Sequence, residues 1–392
     1  MAVINRIAEF APDITAWRRD IHENPEILFD THRTSALVAA KLRDFGCDEV
    51  VEGIGRTGVV GVIRGRATGS GRVIGLRADM DALPMTEMTG LPHASKTPGA
   101  MHACGHDGHT AMLLGAARYL AETRTFDGTA VVIFQPAEEG GGGGREMVAD
   151  GMMERFGIQE VYGMHNMPGI PVGDFFLRPG PMMAASDVFD ITVTGRGGHA
   201  AQPHNTVDPV LVASQIVIAL QNVVSRTVDP LKSAVVSVTS FHTESETYNV
   251  IPERVDLRGT ARTLDPETQD LVEERIRATA EGVAAAFGAR AEVNYHRNYP
   301  VTVNSPEETA FAARVAAGIV GEGRVDTDPD PMMGAEDFSF MLNARPGAFI
   351  FVGNGDTAKV HHPKYDFNDE LIPIGCSYWV KLVETAMPGA AN

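Results

Sequence analysis

Residues 57–64 (TGVVGVIR), 72–79 (RVIGLRAD) and 129–134 (TAVVIF) are three short runs rich in β-branched side chains. Runs of this length and composition are typical of buried strands. Residues 109–123 lie between the last two runs, and their apolar side chains recur at the spacing of a helix. Strands that alternate with long helices predict an α/β domain with a mainly parallel central sheet.

The sequence on the N-terminal side of these strands predicts two helices, at residues 11–22 and 32–45. They are separated at Asn24-Pro25, because the residue before a proline is disfavoured in helical geometry. On the C-terminal side, helix 306–321, strand 348–352 and a helix near 375–387 return to the α/β pattern.

A different pattern occupies the middle of the chain. The predicted elements are strand 187–195, helix 206–225, strand 233–241, strand 254–263, helix 267–288 and strand 290–296. The order β-α-β-β-α-β is that of a ferredoxin-like unit. We therefore predict an α/β domain formed by residues 1–185 and 298–392, interrupted by an inserted ferredoxin-like α+β domain at residues 186–297.

The composition excludes several classes of partner. The 392 residues include 33 Lys plus Arg and 51 Asp plus Glu, a net charge of −18, whereas nucleic-acid binding requires clustered cations. No stretch approaches about 18 uninterrupted apolar residues, and the first residues do not resemble a secretory leader. Three cysteines make a disulfide framework improbable. We expect no nucleic acid and no membrane, and a cytoplasmic location.

The densest set of chemically active side chains is MHACGHDGH, residues 101–109. Thiolate, imidazole and carboxylate are the usual donors for zinc-like ions, and Cys104 and His106 are close enough in sequence to serve one metal site. His102 and His109, taken singly, are better explained as structural residues that cap the helix or make polar contacts.

A pair of acids, Glu138 and Glu139, follows the strand at residues 129–134. Ligands of open α/β sheets bind beyond the carboxyl ends of the strands, and a dication would relieve the repulsion between adjacent carboxylates. One acid would then bind metal while the other handles protons; the alternative is a solvated acidic turn. The glycines at 140–144 lack the Gly-Lys-Ser/Thr ending of a phosphate-binding loop.

Three weaker signals are single histidines or histidine pairs. His165 lies in GMHN, His361 and His362 precede a proline, and His199 ends the GRGGH segment after the first strand of the inserted domain. Each alone is a weak indication, and a plain turn histidine explains His199 equally well.

Together these segments resemble the hippurate hydrolase and N-acyl-amino-acid amidohydrolase branch of the aminoacylase/carboxypeptidase family of dinuclear metallopeptidases. Ten motifs carry the resemblance, in the same order along nearly the whole chain. They are RRDIHENPE (18–26), RADMDALPM (77–85), MHACGHDGHT (101–110), FQPAEEG (134–140), GMHN (163–166), GRGGHAAQPH (195–204), NVIPE (249–253), GTART (259–263), GAEDFSF (334–340) and HHPKYDF (361–367).

The resemblance implies a site for two divalent metal ions. The implied ligands are Cys104, His106, Glu139, His165 and His361. Glu138 would be the general base, and His362 would be a neighbour of the ligands, with His362 in place of His361 as the alternative ligand. Thiolate and imidazole favour zinc, while manganese, cobalt and nickel remain open.

The resemblance also implies that the inserted domain forms a homodimer or higher homo-oligomer and contacts the substrate. His199 would reach the active site of the partner subunit and stabilise an oxyanion. Asn249 and Arg262 match positions that hold a substrate carboxylate, which suits the fork of an arginine. Asp81 resembles an aspartate that orients a metal-bound histidine.

The implied activity is hydrolysis of the amide bond of a small N-acyl amino acid to a carboxylate and a free amino acid. A dipeptidase that acts on unblocked dipeptides is the alternative within enzymes. A non-catalytic metal- or peptide-binding protein is the alternative from another class, but it predicts a missing ligand or base, and none is missing. The motifs do not identify the acyl group.

Overall fold

The computed structural model describes residues 2–389, which divide into two compact units. The first unit comprises the chain up to Met182, Val303–Asp330 and the segment from Asp337 onward. The second comprises Met183–Thr302 and Pro331–Glu336. The first unit is therefore built from segments on both sides of the second.

The helices and strands follow in chain order. Up to residue 183 they are α1 (Asn5–Glu23), α2 (His32–Asp44), β1 (Glu49–Ile54), β2 (Gly58–Arg64), β3 (Val73–Asp79), α3 (His106–Thr123), β4 (Thr129–Gln135), α4 (Gly143–Ala149), α5 (Met152–Arg155), β5 (Glu160–Pro168), β6 (Phe175–Phe176) and β7 (Gly180–Met183). From 185 to 299 they are β8 (Ala185–Thr194), β9 (Gly198–His199), α6 (Pro209–Asn222), β10 (Ala234–Thr243), β11 (Val250–Ile251), β12 (Arg254–Thr263), α7 (Pro266–Ala286) and β13 (Arg290–Tyr299). The remainder are β14 (Thr302–Asn304), α8 (Pro306–Val320), β15 (Val325–Asp326), α9 (Ser339–Ala344), β16 (Gly347–Gly355) and α10 (Ile372–Ala386).

The first unit is organised around an eight-stranded sheet of order β1-β2-β4-β3-β5-β16-β6-β15. Its four central strands, β4, β3, β5 and β16, are parallel to one another. Antiparallel pairs flank them, because β1 and β2 form a hairpin that pairs with β4, and β6 runs against β16. The predicted α/β fold with a parallel central sheet is confirmed, and the run at residues 57–64 is the antiparallel member.

Helices α1, α3 and α10 pack on one another in the first unit. Helix α3 is buried nearly all round, as expected of a helix with neighbours on several sides. It begins at His106, three residues before the predicted start, after Gly105 in the left-handed region with φ of 94°. The parallel strands and this buried helix hold in place the loop residues that follow each strand end.

The second unit contains a four-stranded antiparallel sheet of order β10-β12-β8-β13, with helices α6 and α7 packed against it. Side chains of β8 alternate between buried and half-buried positions, the period-2 pattern of a strand with one covered face. The β-α-β-β-α-β order of its long elements is the one predicted for a ferredoxin-like unit.

One helical stretch of the second unit, Pro209–Thr227, is long and apolar enough to cross a membrane by length and composition. A single such helix is weak evidence, and 28% of it is buried in the structure. One face packs into the unit through Val212, Ile216 and Leu220. The opposite face carries the exposed apolar side chains Leu211 and Ile218.

Candidate metal centre and active site

Four parallel strands of the first unit deliver the predicted site residues to one edge of its sheet. Strand β3 ends at Asp79, β4 leads to Glu138 and Glu139, and β5 carries His165 near its end. His361 lies in the segment that follows β16. Because carboxyl ends of neighbouring parallel strands share an edge, residues distant in sequence meet there.

The five proposed metal ligands fall into two groups of donor atoms. In one group are Cys104, His106 and His165; in the other are Cys104, Glu139 and His361. Within each group the donor atoms lie within 4.8 Å of one another, and Cys104 Sγ is 3.3 Å from His165 Nε2. Cys104 belongs to both groups, so one sulfur lies between two candidate metal positions.

Backbone carbonyls orient two of the histidine rings. His106 Nδ1 donates to the carbonyl oxygen of Asp81 at 2.8 Å, and His165 Nδ1 donates to that of Asn166 at 2.6 Å. A carbonyl oxygen only accepts, so the ring proton is on Nδ1 in both residues. In the neutral form of each ring, Nε2 then carries the lone pair that a metal ligand requires.

The donor set fits divalent metal ions. The buried atoms His106 Nε2 and Glu139 Oε1 have no hydrogen-bond partner among residues 2–389, although buried polar atoms are nearly always satisfied. Glu139 Oε1 and His361 Nε2 lie 3.3 Å apart without hydrogen-bond alignment. Two donors that converge without bonding each other are what a shared ion would produce, and the sulfur, nitrogen and oxygen set is that of zinc-like ions.

The electrostatics of the cluster also favour a dication. Burial, and then the Glu139 carboxylate, raise the pKa of the Cys104 thiol. Contacts with Cys104 and Glu139 raise the pKa of His361 to about 10. Burial alone would raise the pKa of Glu139, but the contact with His361 lowers it. The negative charge of the Glu139 carboxylate is thus compensated here by a protonated His361. A bound metal ion would take over that role and would also favour the thiolate form of Cys104.

The adjacent histidines differ in their environment. His361 has a positive φ of 63°, unusual for a residue other than glycine, and reaches the second donor group. Both side chains are exposed, but His362 belongs to neither donor group, and its Nδ1 accepts from the backbone N–H of Lys364 at 3.1 Å. The geometry therefore favours His361 as the ligand.

Asp81 contacts the site in two ways. Its carboxylate accepts from the backbone N–H groups of Glu138 at 2.9 Å and Glu139 at 3.1 Å. Its backbone carbonyl, and not the carboxylate, bonds to the His106 ring, from which the carboxylate lies 3.6 Å away. Asp81 therefore fixes both acids and the histidine.

The turn that carries the acidic pair is backbone-strained. Ala137, buried directly before Glu138, has a φ of 54°. The chain then passes so close to itself that a Cβ at Gly143 would lie 1.7 Å from the Pro136 carbonyl oxygen. The glycine run at 140–144 thus permits a tight return of the chain after Glu139, which explains its composition without a phosphate.

Sequence reasoning missed a buried charged network beneath the donors. Arg77 donates from Nη1 to Asp79 at 2.7 Å and from Nη2 to Asp337 at 3.1 Å. Asp79 accepts from His109 Nδ1 at 2.7 Å, and His109 Nε2 accepts from the Asn166 N–H at 3.0 Å. Charged residues inside an otherwise apolar strand, at 77 and 79, were the available signal, because buried charges need partners.

The remaining predicted residues lie in the second unit. His199 forms β9 and pairs with Val250 of β11, and Ala200 N–H donates to the Asn249 carbonyl at 2.9 Å. Arg262 on β12 is half-buried and donates to Thr260 Oγ1 and, at 3.0 Å, to the Ala261 carbonyl.

Burial lowers the pKa of Arg262, and no carboxylate of residues 2–389 forms an ion pair with it. Its guanidinium has five N–H donors and uses few of them within the unit. Arg262 is therefore available to an external anion.

The fold and the donor set define a metal-dependent hydrolase with a two-ion centre. The sequence profile of "Peptidase family M20/M25/M40" matches residues 75–385, and the chain belongs to this family of metallopeptidases and amidohydrolases. The predicted family resemblance is confirmed.

Relatives span the whole chain. A hippurate hydrolase of Campylobacter jejuni is 44% identical over 382 residues, 97% of this chain and 98% of the relative. An N-acetylcysteine deacetylase of Bacillus subtilis is 40% identical over 370 residues, 93% and 94% of the two chains. Among solved structures, a dinuclear metal-binding M20 peptidase of Bacillus subtilis has a TM-score of 0.84 at 35% identity, covering 97% of this chain and 99% of that one.

Proposed function

We propose that this enzyme hydrolyses the amide bond of N-acyl amino acids, releasing a carboxylate and a free amino acid. The observation that carries the proposal is the presence of two donor groups joined at Cys104, with an additional carboxylate, Glu138, beside them. Hippurate and N-acetylcysteine, named in two of the relatives, both belong to this substrate class.

Each group of the site has a role in this reaction. Metal ions, when bound by the five donors, polarise the amide carbonyl and acidify water. Glu138, held by Asp81 through its backbone N–H, takes a proton from the attacking water and returns it to the leaving nitrogen. Arg262, with Asn249, holds the substrate carboxylate, and His199 of a partner subunit stabilises the oxyanion.

The donor chemistry favours zinc, because thiolate and imidazole prefer it, with manganese, cobalt or nickel as alternatives. All three cysteines, Cys47, Cys104 and Cys376, are free thiols. This supports a cytoplasmic location, where reduced cysteines persist.

The partner we propose is a second copy of this chain, bound through the β10 side of the second unit. Edge strand β10 exposes Val235 and Phe241, and the neighbouring helix α6 exposes Leu211 and Ile218. Exposed apolar patches mark interaction surfaces. The opposite edge, β13, exposes mainly polar and charged side chains, which protect an edge strand from pairing.

The test of the reaction is Glu138→Gln, with metal content measured alongside turnover. We expect turnover to fall by at least about 10²-fold, the contribution of a general base, while both metal ions are retained. Glu146→Gln on α4, the same chemical change outside the donor groups, is the control and leaves turnover unchanged. Full turnover in the Glu138 variant would exclude this mechanism.

The substrate class is tested with N-acetyl and N-benzoyl amino acids, their C-terminal amides and unblocked dipeptides. The proposal requires turnover of the acylated acids and weak turnover of the amides, which lack the carboxylate for Arg262. Preference for unblocked dipeptides would identify a dipeptidase instead.

A further inference from the structure

The RRDIHENPE motif, residues 18–26, contributes no metal donor, yet it carries buried charge. Arg18 and His22 lie one helical turn apart at the end of α1, with side chains 1% and 0% exposed. Residues four apart face the same way on a helix. Arginine is almost never fully buried without a partner, so this face of α1 has a specific counterpart.

That counterpart is Asp107, the residue directly after the proposed ligand His106. Arg18 Nη1 lies 3.2 Å and His22 Nδ1 lies 2.9 Å from the same oxygen, Oδ2 of Asp107. Burial alone would lower the pKa of His22, but the Asp107 charge raises it to about 9. Two cations thus hold one fully buried carboxylate at the start of α3.

Arg18 also reaches the segment that follows the fifth proposed ligand. Its Nε donates to Asp369 Oδ1 at 2.9 Å, eight residues after His361. Within the same segment Tyr365 donates to the side chain of Asn166 at 2.8 Å, next to His165. One guanidinium therefore joins the segment of Cys104 and His106 to the segment of His361.

A second connection from α1 ends at the same segment. His22 Nε2 lies 3.3 Å from Glu87 Oε2. The next residue, Met88, donates its backbone N–H to the Pro363 carbonyl at 2.7 Å, two residues after His361. Helix α1 thus holds the His361 segment at both ends without touching either donor group.

We propose that Arg18 is a positioning residue of the metal centre, whose guanidinium sets the separation between the segment carrying Cys104 and His106 and the segment carrying His361. The inference rests on the metal site of the proposed function. It predicts a selective effect. The position formed by Cys104, Glu139 and His361 spans the two joined segments, whereas the position formed by Cys104, His106 and His165 does not include the His361 segment.

The test is stepwise removal of Zn²⁺ from the purified full-length protein by a chelator, with bound zinc measured at each step. Wild type is expected to hold two equivalents. Arg18→Met is expected to hold one with unchanged affinity and the other at least about tenfold more weakly, the usual cost of losing a partner behind a metal ligand. Arg18→Lys keeps the charge but cannot span both carboxylates, and is expected to restore the affinity in part.

Arg19→Met is the matched control. Arg19 pairs with the same Asp369 at 2.8 Å but is half exposed and does not reach Asp107. We expect both equivalents of zinc to remain bound in this variant. Retention of both ions in Arg18→Met, or equal weakening of both, would overturn the proposal.

Two further outcomes are distinguished. If far-ultraviolet circular dichroism shows that Arg18→Met does not fold, Asp369→Asn is subjected to the same titration, with the same expected and overturning results. If wild type binds two zinc ions but hydrolyses no N-acyl amino acid, the proposed substrate class fails while the zinc titration still decides the role of Arg18.

Discussion

Gly108, in the first turn of α3 beside Asp107, allows a close contact that can be tested. A Cβ at this position would lie 2.2, 2.4 and 2.4 Å from three ring carbons of Phe367. The Phe367 ring is 1% exposed and belongs to the segment between His361 and Asp369. The ring has no route to solvent, so Gly108→Ala forces the ring and its segment away from α3.

Two opposing effects determine the size of the change. Alanine gains about 1 kcal/mol over glycine in a helix interior, while overpacking a buried site costs about 1–3 kcal/mol. Carbon atoms in contact normally lie about 3.5–4.0 Å apart, so the Cβ of an alanine at position 108 would be more than about 1 Å too close to the Phe367 ring. We therefore expect the cost of overpacking to exceed the helix preference. The expected net loss is up to about 2 kcal/mol, a decrease in melting temperature of up to about 8 °C for a domain of this size.

The assay is thermal unfolding by calorimetry, with Gly318→Ala as the control. Gly318 lies within α8, and a Cβ there meets nothing within 4 Å. The control variant should melt above wild type, since only the helix preference acts. Phe367→Leu, which shortens the opposing side chain, should reduce the cost of Gly108→Ala. A Gly108→Ala variant that melts as high as Gly318→Ala would refute the reasoning.

Two other predictions concern His22 and the dimer. The pKa of His22 is raised from 6.5 to about 9 in the folded protein, so its contribution to the free energy of unfolding is complete below pH 6.5 and is lost as the pH rises through about 9. The difference in the free energy of unfolding between wild type and His22→Asn, measured in urea, should therefore shrink by about 3 kcal/mol from pH 6 to pH 10. A difference that stays constant over this range would contradict the prediction. Ile218→Lys with Phe241→Lys should convert a dimer to a monomer in analytical ultracentrifugation, whereas Phe287→Lys, at the end of α7 on the β13 side, should not; a dimer that survives the first change would exclude the β10 surface.

The donors proposed from the sequence lie close together in the structure for a physical reason. Glu139 follows the end of β4 and His165 lies near the end of β5, and strand ends of a parallel sheet meet; Cys104 and His106 stand together in one short motif at the start of α3. Periodicity also predicts β12 at Arg254–Thr263 without error. These features depend on local spacing, which a sequence displays directly.

Features that depend on contacts between residues far apart in sequence are harder to predict from the sequence. Helix α1 begins at Asn5, six residues before the predicted start, and continues through Pro12. A proline inside a helix is costly, but Ile7, Phe10 and Ile14 pack into the core and hold the first turns in place. Likewise Asp337 binds Arg77, 260 residues away, and Arg18 binds Asp107 and Asp369, 89 and 351 residues away in sequence. No local pattern in the sequence indicates these pairs.

The interrupted first unit has a consequence for synthesis on the ribosome. The second unit is nearly continuous in sequence, so most of it emerges while the first unit still lacks β16 and α10. Domains fold as units as the chain appears, but β5, which pairs with β3 on one side, cannot gain its second parallel neighbour, β16, until residues 347–355 are made. The five proposed metal donors are complete only once His361 has been translated, in the last tenth of the chain.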